Sequence, residues 1–269
     1  MIRKAAVISN PMATTIVFAN QKGGVGKTSM CLHTAGALVN AGNRVLVVDL
    51  DQQGNLSSVF AKNIHALKHT VADVLLNGVK TTDVIQKTPI ENLDLLPANL
   101  SLSELDAKLA GDDDSQYYLV EAFKSIISNY DFILIDCPPS LGKSTRLALV
   151  AANGVVVPIE CQDWAVKGSH QILAFVDRVK QRANPKLKFL GFVINKFSPR
   201  RRAEQDYYRA LKKQYGKLVF RTEFNDVAVF VEAAAARMPV TMYRPKSDVA
   251  KAFSKFSQEL ISHVKEKLH

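Results

Sequence analysis

The sequence predicts an α/β fold: a single doubly wound domain with a mostly parallel central sheet and helices on both faces. Three observations predict it. Short, continuously apolar runs, of the kind buried on both faces of a parallel sheet, recur along the chain and alternate with helical patterns. The 269 residues are 47% hydrophobic, enough for one sizeable core. No Pro/Gly/Ser-rich linker, low-complexity tract or internal repeat divides the chain, so residues 1–269 read as one unit, with 1–13 a short extension before the first strand.

The first strand spans residues 14–20 and runs into Gln21-Lys22-Gly23-Gly24-Val25-Gly26-Lys27-Thr28-Ser29, and a helical pattern leaves that turn over residues 28–38. Strand, Gly-rich turn and helix form the context of a phosphate cradle. Gly23, Gly24 and Gly26 carry no Cβ, so the backbone can curl and aim several N–H groups at phosphate oxygens. The helix start adds the positive end of its dipole. In such a loop Lys27 reaches the β- and γ-phosphates and the Thr28 hydroxyl ligates Mg²⁺. Gln21 stands where the ordinary P-loop pattern has its first Gly, and Lys22 adds a second lysine at the front.

The next apolar run, 44–48, ends in Asp49-Leu50-Asp51-Gln52-Gln53-Gly54-Asn55. Carboxylates at the C-terminal end of a parallel strand lie where doubly wound sheets hold their ligands. Asp49 and Asp51, two residues apart, share a strand face. Gly111-Asp112-Asp113-Asp114 reads as a surface turn capping a following helix. Residues 130–140 then give four apolar residues closed by an acid, Phe132-Ile133-Leu134-Ile135-Asp136, followed by Cys137-Pro138-Pro139. An acid so placed holds Mg²⁺ through a water, because Mg²⁺ keeps much of its hydration shell. Residues 154–160 and 189–196 are further buried strands, the second ending in Asn195. The last element is a helix capped by Ser247, with Val249, Phe253, Phe256, Leu260, Val264 and Leu268 recurring every three or four residues.

With these motifs the chain resembles the deviant P-loop ATPases of the ParA/MinD family, whose signature is Lys-Gly-Gly-x-Gly-Lys-Thr, and within it the short ParA/Soj-like partition and positioning ATPases. The resemblance implies ATP and Mg²⁺ as cofactors, bound along Lys22, Gly23, Gly24, Val25, Gly26, Lys27, Thr28 and Ser29. It implies that Lys22 crosses a dimer interface to the partner's nucleotide and acts there as an arginine finger does. Asp51 matches the residue that positions the attacking water and, with Thr28 and Asp136, falls in the metal set. Asn195 matches the asparagine that hydrogen-bonds adenine, to which a side chain that both donates and accepts is suited. The loop around Phe224 would close the base pocket from the other side. The family usually has Pro where Gln52 stands, and the change loosens that loop.

Charge is distributed unevenly. Residues 1–160 carry 13 Lys/Arg and 15 Asp/Glu, whereas residues 161–269 carry 22 and 10, which makes the second segment +12 in a chain of net +10. A basic third is the electrostatic footprint of a polyanion partner. Candidate contacts are Arg200, Arg201, Arg202, Arg221, Arg244, Lys246 and Lys251, and the resemblance implies DNA bound without sequence preference, an ATP-dependent homodimer and a ParB-like or other adaptor that stimulates hydrolysis. A cytoplasmic, nucleoid-associated protein is expected. Three cysteines without metal spacing read as buried reduced thiols, and no run reaches the roughly 18 apolar residues of a membrane span. Two other classes are weighed against this one. A MinD-like membrane-associated regulator of division or flagellar placement would use the basic amphipathic last helix on lipid. A metabolic or electron-transfer enzyme on the same fold would need a substrate pocket or cluster ligands, and the sequence marks neither.

Overall fold

The computed structural model describes residues 12–162, 165–225 and 229–268, so most of the expected 1–13 extension lies outside the described residues. Strands β1 (Thr14–Phe18), β2 (Val45–Asp49), β3 (Gln86–Lys87), β4 (Leu93–Leu96), β5 (Phe132–Asp136), β6 (Gly154–Ile159), β7 (Lys188–Ile194) and β8 (Val219–Glu223) form one sheet in the order β3-β4-β2-β5-β1-β6-β7-β8. Every pairing is parallel except that of β3 with β4 at one edge. The principal helices are α1 (Lys27–Asn40), α2 (Asn55–Phe60), α3 (Lys143–Ala151), α4 (Ala165–Arg182), α5 (Arg202–Tyr215), α6 (Val229–Ala235) and α7 (Asp248–Leu268).

The central strands β1, β2, β5 and β6 are almost wholly apolar because each faces two cores. On one side Ile16, Phe18, Val47 and Leu134 pack with Met30 and Leu38 of α1 and Phe253 and Phe256 of α7. On the other, Val17, Val48, Ile133 and Ile135 pack with Leu147 of α3 and Ile172 and Val176 of α4. Each fully buried side chain of this size contributes about 1.5–3 kcal/mol. Helix α7 forms as its periodicity predicts: Phe253, Phe256, Leu260 and Val264 are fully buried, and the Ser247 hydroxyl accepts the Ala250 N–H at 3.2 Å. The Asp112 carboxylate caps the turn after it by accepting the Asp114 and Ser115 N–H groups. All three cysteines are buried, and burial raises each thiol well above its ordinary range.

One buried polar residue ties the two outer helices together. His33 of α1 is 1% exposed, lies 5.0 Å from the Phe230 ring and 5.1 Å from the Phe253 ring, and accepts the Val240 N–H on Nδ1 at 3.2 Å. Burial lowers its pKa from 6.5 to about 3, so the folded protein holds it neutral while the unfolded chain protonates it near pH 6.5. Its contribution to stability is therefore full above pH 6.5 and lost as pH falls toward 3. Urea unfolding of the wild type and of His33→Asn across pH 7.5 to 5 checks this. The difference between the two falls by at most about 1.4 kcal/mol per pH unit below pH 6.5, and a constant difference would show that His33 does not titrate on unfolding.

Candidate nucleotide-binding site

Strand β5 lies between β1 and β2, so the loop after β1 meets the acids that end β5 and β2. Residues 21–26 turn sharply between β1 and α1, with Gly24 and Gly26 at φ +77° and +90°. A Cβ at Gly26 would meet the Asn195 amide, and the φ of +90° favours glycine there by conformation. Helix α1 begins at Gly26 with no side-chain cap and no acid in its first turn, which leaves its N-terminal amides and positive dipole end free for an anion.

Three carboxylates and one lysine converge beside this turn. Asp49 and Asp136 are register partners on β2 and β5, both 0% exposed, and Asp51 is 7% exposed. The Thr28 hydroxyl donates to Asp136 Oδ2 at 2.6 Å, while Asp136 Oδ1 is buried without a partner among the described residues. Burial first, then the neighbouring Asp49 charge, push the Asp136 carboxyl well above the usual carboxylate range. Burial likewise raises Asp49 to about 6, against the opposing pull of its hydrogen bonds from Ser57. Lys27, 7% exposed, donates to the Lys22 carbonyl at 3.2 Å, and burial lowers its pKa. Three acids against one lysine leave a surplus of negative charge and one unpaired carboxylate oxygen, which suits a hard cation with oxygen ligands. Among the described residues no three His, Cys, Asp or Glu side chains form a metal cage.

Lys22 leans the other way. Its Nζ lies 2.9 Å from Glu160 Oε2 and 2.7 Å from Gln162 Oε1, just beyond the end of β6, and the side chain is half exposed. Asn195, at the end of β7, donates Nδ2 to the Val25 carbonyl at 2.9 Å and leaves Oδ1 buried and unpartnered.

Residues 13–189 match the family model of an AAA domain. The chromosome-partitioning ATPase Soj of Treponema pallidum is 34% identical over 93% of this chain and 98% of that one. The chromosome partitioning protein ParA of Caulobacter vibrioides is 32% identical, with 96% and 97% covered. A crystal structure described as cobyrinic acid a,c-diamide synthase from Mycobacterium smegmatis, with bound ADP and magnesium, is 33% identical and superposes with a TM-score of 0.83 over 94% of this chain and 96% of that one. The chain belongs to the ParA/Soj-type P-loop ATPases.

Within this ParA-type chain the other predicted residues are placed as follows. Gly23 and Gly24 are exposed, Val25 is buried and Ser29 is half-buried in the first turn of α1. The Phe224 ring is 1% exposed and packs 4.3 Å from Phe253 and 5.8 Å from Phe256, in the core. Only its backbone borders the Asn195 strand end, through Phe224 N–H to the Ile194 carbonyl. The basic candidates are all exposed, with Arg200, Arg201 and Arg202 leading into α5 and Arg221 on the edge strand β8, whereas Arg244, Lys246 and Lys251 lie around the start of α7, next to a segment that packs beside α1. Arg201, Arg244 and Lys251 already pair with Glu204, Glu232 and Asp248. Glu160 and Ser57 are site residues that sequence reasoning did not single out, because their importance lies in long-range pairing that no local pattern marks.

The Asp49–Asp136 repulsion gives a prediction. Asp136→Asn keeps an acceptor for Thr28 and removes one of two adjacent buried charges, so without nucleotide the variant is more stable than wild type by roughly 1 kcal/mol. In the same variant Mg²⁺ no longer tightens ATP binding, as titration of a fluorescent ATP analogue with and without the metal will read. Loss of stability would mean that the pair is not strained.

Proposed function

We propose that this chain is a ParA-like ATPase that couples ATP hydrolysis to the positioning of a cargo on DNA. The observation that carries the reading is the convergence of Lys27, Thr28, Asp51 and Asp136 on one Gly-rich turn, fronted by Lys22, at the C-terminal edge of a parallel sheet. Residues 1–269 work as one ATPase domain whose basic third is its nucleic-acid face.

The loop amides and the α1 N-terminus hold the phosphates, Lys27 neutralises them, and Asn195 abuts the loop from the base side, where its unpartnered Oδ1 can accept from an adenine amine. Thr28 and Asp136 would hold Mg²⁺, which when bound offsets the charge of the phosphoryl oxygens during transfer. Asp51 orients the water that attacks the γ-phosphorus, giving ADP and phosphate. Lys22, released from Glu160, serves the nucleotide of a second copy, so the γ-phosphate joins two subunits that ADP cannot hold together. The ATP dimer presents the basic face to DNA on the nucleoid of the cytoplasm, and an adaptor protein accelerates hydrolysis and release.

A MinD-like membrane role is less well supported. The apolar stripe of α7 that lipid would need is buried in the core, and among the described residues no helix is long and apolar enough to cross a membrane.

The reading is tested with Asp51→Ala, which should trap the ATP form, on a non-specific DNA duplex. Binding is expected with ATP and not with ADP, abolished by Lys22→Ala, and falling steeply with salt as counterion release requires. Charge reversal at Arg200 and Arg202 together should weaken it by about tenfold or more. An ATP dimer that ignores DNA would overturn the DNA part of the proposal and make anionic liposomes the next surface to try.

A further inference from the structure

Asp49 has no part in the reading above, yet it is fully buried and accepts three hydrogen bonds. Its Oδ1 takes the Asp51 N–H at 3.0 Å, and its Oδ2 takes the Ser57 N–H at 2.9 Å and the Ser57 hydroxyl at 2.7 Å. That hydroxyl accepts the Ala98 N–H at 2.8 Å. One chain of hydrogen bonds thus runs from the backbone of Asp51, through Asp49 and Ser57, to the turn after β4. The loop between is clamped as well. Gly54 N–H closes on the Asp51 carbonyl at 2.9 Å, and Gly54, at φ +62°, lies so close that a Cβ would meet the Ala98 carbonyl oxygen at 3.0 Å. Asp51 Oδ1 is set within this loop by the Gln53 N–H at 3.0 Å.

The donor count explains why position 49 is an acid. Donors converge on both of its oxygens, and a carboxylate accepts on both, whereas an asparagine must turn its NH₂ toward Asp51 N–H or toward Ser57. If the side chain were there merely to fill space, a buried charge facing Asp136 would be a costly choice.

We propose that Asp49 and Ser57 are positioning residues for ATP hydrolysis: together they fix the backbone of Asp51, and so its carboxylate, and link that setting to the Ala98 turn. The inference rests on the role given to Asp51 above. Beyond Ala98 the same segment carries Leu100, 58% exposed, so the far end of the link is open to the outside.

The test uses the full chain with Ser57→Ala and Asp49→Asn, measuring turnover, affinity for a fluorescent ATP analogue, thermal stability, and amide exchange of the 49–57 and 94–105 segments without nucleotide. Ser57→Ala is expected to lower kcat by about tenfold while leaving ATP affinity within about twofold, and to speed exchange at Ala98. Asp49→Asn should lower kcat further without lowering thermal stability, because it also relieves the repulsion with Asp136. A structural role alone would instead lower stability and affinity together. Faster exchange at Ala98 with unchanged kcat in Ser57→Ala would overturn the proposal. Wild-type turnover in Asp51→Ala would sink the reading of Asp51 itself, a separate failure.

Discussion

Asp49 and Asp136 are neighbours in parallel register on β2 and β5, both buried, and their mutual repulsion governs the site around them. Two adjacent carboxylates in a dry interior are tolerable only where protons, hydrogen bonds or cations offset them. Each available offset is visible. Ser57 and the Asp51 amide serve Asp49, Thr28 serves Asp136, and Lys27 lies within electrostatic reach of Asp136 and Asp51. Among the described residues no second positive charge lies inside the cluster, a shortfall that a metal ion would offset. The strand order enforces the arrangement: with β5 between β1 and β2, Asp136 faces the P-loop on one side and Asp49 on the other.

The opposite half of the sheet controls the shape of the loop. Asn20 reaches the Pro158 carbonyl, Asn195 holds the Val25 carbonyl, and Glu160 draws Lys22 outward. These contacts come from β6 and β7, whereas the acids come from β2 and β5. The turn is therefore held between an anionic wall and a polar one, with Gly26 close against the Asn195 amide.

What was legible in the sequence follows from how local its cause is. The P-loop and the acids after β2 and β5 are written in runs of five to ten residues, and the stripe of α7 in a repeat over twenty, whose spacing imposes their geometry. The short strands β3, β4 and β8, of which β3 and β8 form the sheet edges, escape the sequence because two to five residues carry little periodicity. The burial of the Phe224 ring is hidden for a related reason: its neighbours at the end of β8 are polar, but the ring turns inward onto Phe253 of a helix nearly thirty residues later. Ser57 and Glu160 act through partners that are distant in sequence, Ala98 and Lys22, and only the folded chain brings those together.

A common feature of the site bears on how it would switch. Lys27 is held by the Lys22 carbonyl, Lys22 by Glu160 and Gln162, Thr28 by Asp136, and the Asn195 amide by Val25. These side chains proposed to act on nucleotide already have partners within their own chain, whereas the α1 N-terminal amides and Asn195 Oδ1 do not. A typical internal hydrogen bond is worth only about 0.5–1.5 kcal/mol net, so phosphate can exchange with these contacts at modest cost and gain charge-assisted bonds in return. Lys22 is the exception that matters. Its partner is a charged, mostly buried glutamate that Lys196 also approaches, at 3.5 Å. Drawing Lys22 away leaves Glu160 to Lys196 alone, so the pair opposes that movement, modestly because the Lys22 side chain is half exposed. On the proposed reading the anion that draws it is the γ-phosphate of a second subunit, and Glu160 raises the threshold at which two copies join.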